Sequence, residues 1–202
     1  ASAWVEAGLT GVDVPFYGHE PALHEAVTAT PGSFDATLKG ALALSQLGVR
    51  LVLHTTLMKQ NLQALPQLLA FFASLQPAAA YVQLLGALGT GSQWLRWAVH
   101  PRDAADVIED VAPASPHSLR WHVADVPACF LKAQRPRLVG WHGEESEGAP
   151  VVLPYSGWLK AFTAGGSRRH VAVCEGCSLR PRCDGVGADV LEAFEPLSLE
   201  AV

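Results

Sequence analysis

The sequence predicts an α/β fold: a parallel sheet built from strand–helix–strand units, followed by a small cysteine-rich appendage. Three observations predict it. Apolar runs of strand length alternate with segments of helical spacing along the first two thirds of the chain. The alternation stops after Cys129, where Gly, Pro and charged residues take over and three cysteines crowd together. The chain has 202 residues, 50% of them hydrophobic and 16% charged, which is the profile of a sizeable buried core and not of disorder.

The elements follow in order. WVEAG reads as the end of a helix stopped by Gly8. GVDVPFYG is a short strand, with Val12, Val14 and Phe16 on one face. The Pro-, Gly- and Thr-rich GHEPALHEAVTATPG reads as a loop. Ser33 is the expected N-cap of a helix carrying Phe34, Leu38, Ala41 and Leu42, ended by Gly48. VRLVLHTTL is nearly continuously apolar, as expected of a strand covered on both faces. Asn61 is the expected cap of a helix whose inward stripe is Leu65, Leu68, Leu69 and Phe72, with a loose first turn at Pro66. AAYVQLLG is a third strand. His100-Pro101 opens a helix with Ala104, Val107, Ile108 and Val111 on one face, and Pro113 and Pro116 close it. SLRWHVADV is a fourth strand and leads to Cys129. Residues 133–170 read as an irregular or hairpin-containing extension, and a short helix follows at Ala188 to Phe194.

Such units wind right-handed into a parallel sheet, and functional groups gather at the carboxyl ends of its strands. Those ends carry His19 and His24, then Thr55 and Thr56, then Gln83, then the VADVPAC stretch.

Charge and hydropathy exclude several classes. A net charge of −5 and a pI near 5.9 give no generally basic surface for nucleic acid. No uninterrupted apolar run reaches the ~20 residues that cross a bilayer. No signal peptide is visible, so the expected location is cytoplasmic. The chain opens in mid-pattern with ASAWVEAGL and reads as a piece of a longer protein.

The sharpest motif is VCEGCSLRPRCDG, in which Cys174, Cys177 and Cys183 are spaced C-x2-C-x5-C. The fourth and last cysteine is Cys129. A domain with this much apolar sequence needs no disulfide staples, and a group this tight is expected to grip a metal or a cluster. If the appendage folds back over the strand ends, all four thiolates converge. Four thiolates suit tetrahedral zinc or an iron–sulfur cube, and the spacing alone does not choose.

Other motifs have bland readings. His19 and His24 are five residues apart with Pro21 between, unlike a zinc-protease helix. His24 reads as a loop residue near the substrate or as a solvated one. GTGSQ, from Gly89 to Gln93, is a turn and not a phosphate loop. Arg168-Arg169-His170 is a small basic spot beside the cysteine loop, and Trp94 and Trp97 are expected to be core.

GVDVPFYGHEPALHEAVTATPGSFDATLKGALALSQLGVRLVLHTTLMKQNLQALPQLLAFF resembles the second part of the barrel in radical S-adenosylmethionine proteins. VADVPACFL followed by CEGCSLRPRCDGV resembles the SPASM or twitch type of auxiliary-cluster extension in the same superfamily. The resemblance implies a partial (β/α) barrel over residues 1–128 and an auxiliary-cluster extension over 129–202. It implies an auxiliary [4Fe-4S] cluster on Cys129, Cys174, Cys177 and Cys183, and no further cysteine follows Cys183. It implies S-adenosylmethionine as a cofactor, with Thr55 and Gln83 on its ribose and adenine side and His24 toward the substrate. In relatives with this extension the substrate is often a peptide. The family's C-x3-C-x2-C loop is absent from these residues, and the expected explanation is truncation: the missing N-terminal part of the same protein would carry it. Whether the chain is itself an enzyme is therefore left open. The contrasting expectation is a non-catalytic α/β module with a structural zinc ion on the same four cysteines.

Overall fold

A computed structural model describes residues 1–86, 91–138, 168–183, 185–194, 197, 199 and 201–202, without the side chains of residues 91 and 92. The strands are β1 (Gly11–Pro15), β2 (Arg50–Leu57), β3 (Ala79–Leu84) and β4 (Trp121–Ala124). They form one parallel sheet in the order β1-β2-β3-β4, which is also their order in the chain. The crossovers carry α2 (Pro21–Thr28) and α3 (Ser33–Gln46), then α4 (Leu65–Ser74), then α5 (Pro101–Val111). A short helix α1 (Ser2–Glu6) precedes them.

Because each new strand is added on the same side of its predecessor, right-handed crossovers place their helices on one face of the sheet. That face is apolar. Val14 and Phe16, Leu51, Leu53 and Leu57, Ala80, Val82 and Leu84, and Trp121 and Val123 share one buried cluster with Phe34, Leu68, Phe72, Ala104 and Ile108 of the helices. Burying one such side chain contributes about 1.5–3 kcal/mol. The opposite face carries the alternate residues: Asp13, then His54 and Thr56, then Tyr81 and Gln83, then His122. These side chains are only partly buried or exposed. The expectation that β2 is covered on both faces is thus corrected. Val52 makes the run look continuous, but His54 and Thr56 hold the polar half of the alternation.

Two local expectations also differ. Residues 21–28 form a helix and not a loop, because Pro21 takes the first-turn position, where its missing N–H costs nothing. Asn61 stands at the N-cap position of the 3₁₀ turn Leu62–Ala64 that leads into α4, but its side chain makes no capping bond. It is 1% exposed and acts as a clamp: its Oδ1 accepts from Met58 N–H (2.8 Å), while Nδ2 donates to the carbonyls of Tyr17 (3.1 Å) and Thr56 (2.9 Å). It thereby ties the carboxyl ends of β1 and β2 together. Gly48 ends α3 as expected, with φ +76°; its N–H reaches the Ser45 carbonyl, and Val49 N–H reaches Leu44.

The C-terminal segment contributes β5 (Arg168–Arg169) and β6 (Val186–Gly187), which pair antiparallel, and α6 (Ala188–Ala193). Val186, Val190, Leu191 and Leu197 join the same buried cluster as the sheet. Phe194 packs edge-on against Trp94 and His100. Of the irregular extension expected over residues 133–170, residues 139–167 lie outside the described residues. Among the described residues no helix is long and apolar enough to cross a membrane.

Candidate functional site

The four cysteines line one small cavity of about 20 Å³, room for about one water, together with Pro127, His170, Val173, Leu179, Arg180, Val186 and Leu199. All four are free thiols of intermediate exposure. The loop's spacing explains how three of them share a wall. Cys174 N–H bonds to the Val171 carbonyl, Cys177 N–H to Cys174, Arg180 N–H to Cys177 and Cys183 N–H to Arg180. Each step is three residues, the period at which side chains eclipse in 3₁₀ geometry. The 3₁₀ turns themselves cover only Ala172–Cys174 and Arg180–Arg182, and Arg180 lines the cavity as well.

Cys129 comes from the sheet. A turn closed by Phe130 N–H to the Pro127 carbonyl (3.0 Å) presents it beyond β4. The turn is held from three sides. The Glu109 carboxylate of α5 accepts the backbone N–H groups of Lys132, Ala133 and Gln134. Arg135 Nε donates to the Ala128 carbonyl at 3.1 Å. The Arg102 guanidinium lies over the Phe130 ring at 4.5 Å.

The electrostatics divide the thiols. Burial pushes the Cys129 thiol up to about 11, and the neighbouring Cys183 adds to the shift. Cys177 is shifted down, first by the backbone N–H of Val202 and then by those of Leu179 and Arg180, with Arg135 adding its charge. Gly185 N–H donates to Cys183 Sγ at 3.3 Å. Backbone donors aimed at sulfur favour thiolate ligands and tune whatever they bind. Among the described residues no group of three or more His, Cys, Asp or Glu side chains is arranged to hold a metal ion.

Three groups escaped the sequence reading. Asp125, just past β4, has φ +63°. Its Oδ2 accepts from Gln83 Nε2 at 2.8 Å, and its Oδ1 pairs with the Arg168 guanidinium. On the open face, His54 Nδ1 lies 2.6 Å from Asp13 Oδ1. One strand further on, Tyr81 stacks on His122, with ring centroids 5.4 Å apart. The signal was present in β3, where Tyr81 and Gln83 alternate with Ala80, Val82 and Leu84.

The residues singled out from sequence fall as follows. Gln83 is at the carboxyl end of the open face, bonded to Asp125. Thr55 is fully buried on the helix-covered face, and its hydroxyl has no partner. His24 is 2% exposed, ringed by Phe16, Tyr17 and Phe34, and its Nδ1 accepts from Tyr17 N–H at 3.3 Å. Burial lowers its pKa, with Glu25 opposing. In this position it is a packing residue of α2 and not a loop residue. Arg169 pairs with Glu192, and His170 Nε2 lies 2.8 Å from the Cys183 carbonyl. GTGSQ falls partly outside the described residues.

A stretch of 88 residues is 28% identical to an AdoMet-dependent heme synthase of Oleidesulfovibrio alaskensis, covering 44% of this chain and 23% of that enzyme. The chain thus matches less than a quarter of that relative's length. No protein-family model and no solved structure matches the chain.

Proposed function

We propose that this chain is the portion of a radical S-adenosylmethionine enzyme that holds an auxiliary [4Fe-4S] cluster on Cys129, Cys174, Cys177 and Cys183. The observation that carries the reading is the single cavity lined by all four thiols and by no other cysteine of the chain. Zinc–sulfur bonds of ~2.3 Å would draw four thiolates to about 3.8 Å from one another, a geometry that makes a recognisable one-ion site. Among the described residues no group of three or more His, Cys, Asp or Glu side chains is arranged for a metal ion, which bears on zinc and cluster alike; the cluster is preferred for the similarity to an AdoMet-dependent enzyme. A cube of four irons takes its thiolates from its corners and holds them further apart than one ion does. When bound, such a cluster supplies one-electron redox chemistry or a site for substrate ligation.

The chain's own residues do the rest. Pro127, Val173, Leu179, Val186 and Leu199 give the cavity apolar walls that limit water. Arg180 in the wall and Arg135 near Cys177 place positive charge beside the thiolates. The sheet, wound in one direction with its polar face open, is the arc expected of a (β/α) barrel. On this reading residues 1–128 are that arc and 129–202 the cluster extension. S-adenosylmethionine would meet the carboxyl end of the open face, where Gln83 lies; the partner substrate would be a peptide. The similarity to an AdoMet-dependent enzyme supports the cofactor.

The test is anaerobic reconstitution with iron and sulfide. A brown protein with about four irons per chain is expected, and replacing any one of the four cysteines by Ser should lower iron content sharply. A colourless protein holding one zinc ion per chain would overturn the reading in favour of a structural four-thiolate zinc module. With all four cysteines in one site, the loaded chain should release no 5′-deoxyadenosine from S-adenosylmethionine and strong reductant.

A further inference from the structure

We infer that Asp125 is a positioning residue for the four-thiol cavity, and that its charge, acting through Arg168, sets how Cys129 meets the three cysteines of the C-terminal loop. The inference rests on the cluster reading above and extends it to a group that binds nothing in the cavity itself.

Cys129 belongs to the sheet, whereas Cys174, Cys177 and Cys183 belong to a loop that returns from far along the chain. Something must fix the distance between them. Asp125 stands four residues before Cys129 and uses both carboxylate oxygens. Oδ2 takes the Gln83 amide at the end of β3 (2.8 Å), and Oδ1 takes the Arg168 guanidinium. Arg168 is in β5, paired with Gly187 of β6, and Arg169 with Val186. Gly185, next to β6, donates to Cys183 Sγ. A continuous line of bonds thus runs from the end of β3 through Asp125 and the β5–β6 pair to a cysteine of the loop. The Asp125 and Arg168 side chains are each 24% exposed, so neither charge is freely solvated. Removing one leaves the other partly buried without its opposite charge.

The backbone at Asp125 makes the test clean. At φ +63° most side chains are strained, but Asn adopts this conformation as Asp does. Asp125→Asn therefore keeps the turn and the size of the side chain and removes the charge. Arg168→Gln attacks the same pair from the extension, where the sheet is untouched.

The experiment reconstitutes the wild-type chain, Asp125→Asn, Arg168→Gln and the double variant under limiting iron. It reads iron per chain, the visible and electron paramagnetic resonance spectra, and the midpoint potential, with circular dichroism as the check on folding. Each single variant should hold less than half the wild-type iron, and what it does hold should show an altered resonance signal. The double variant should be no worse than the worse single one, because the two changes remove one interaction. Either single variant loading like wild type, with unchanged spectrum and potential, would overturn the inference while leaving the cluster reading intact. A wild-type chain that takes up no iron would overturn both.

Discussion

Thr55 and Thr56 are neighbours in β2 and stand on opposite faces of the sheet. Thr56 belongs to the open face, and its carbonyl is held by Asn61 at 2.9 Å. Thr55 is 0% exposed between Leu53 and Leu57, and its hydroxyl has no hydrogen-bond partner. A buried orphan hydroxyl costs free energy that a methyl group does not. Thr55→Val should therefore stabilise the protein by about 1 kcal/mol, seen as a higher urea midpoint with unchanged slope. If the variant instead loses S-adenosylmethionine binding in equilibrium dialysis, Thr55 serves the cofactor after all.

Gly185 has φ +85°, and a Cβ there would lie 2.5 Å from the Arg169 carbonyl oxygen. Both the conformation and the space demand glycine. Gly185→Ala should destabilise the β5–β6 pair by roughly 2 kcal/mol and pull the N–H away from Cys183. Hydrogen exchange across 168–187 should quicken and iron content should fall. Full iron content with slow exchange would show that the loop tolerates a side chain here.

His122 is held at about pKa 4, chiefly by burial, with Arg120 and Arg137 adding to it. Its Nε2 is buried without a partner. The folded state thus resists a proton that the unfolded chain accepts below about pH 6.5. Between about pH 6.5 and 4 the unfolded state binds more protons, so stability falls as pH falls. The loss is at most about 3 kcal/mol, and smaller to the extent that water reaches the half-buried ring and screens it. Above pH 6.5 this group contributes no pH dependence. His122→Phe keeps a ring against Tyr81 and should flatten that slope in denaturant melts at pH 7 and pH 5. An identical slope in the variant would assign the acid sensitivity elsewhere.

What is legible in the sequence is what local chemistry controls. The strands declare themselves through apolar runs. The start of α5 declares itself through His100-Pro101, whose imidazole Nδ1 accepts from Arg102 N–H at 3.2 Å. Pro21 misleads because a proline breaks a helix interior and begins a helix equally well, and only position decides. The open face is hidden in β2 because Val52 fills a place in the apolar run. Asp125 is invisible because its partners are 42 and 43 residues away, and no local pattern marks a carboxylate that will be met there. The C-x2-C-x5-C spacing marks three cysteines as neighbours, and all three line one cavity. That Cys129 lines the same cavity depends on contacts far apart in the chain.

The sheet order repeats the chain order, and this has a consequence for synthesis. During translation each strand emerges when its neighbour is already made, and no strand must be inserted between two that have paired. The cysteine loop leaves the ribosome after Cys129, when β1 to β4 are already made. The four-thiol cavity can therefore assemble only after these four strands have been made. Ribosome-stalled chains ending shortly after Cys129 should already resist protease across β1 to β3.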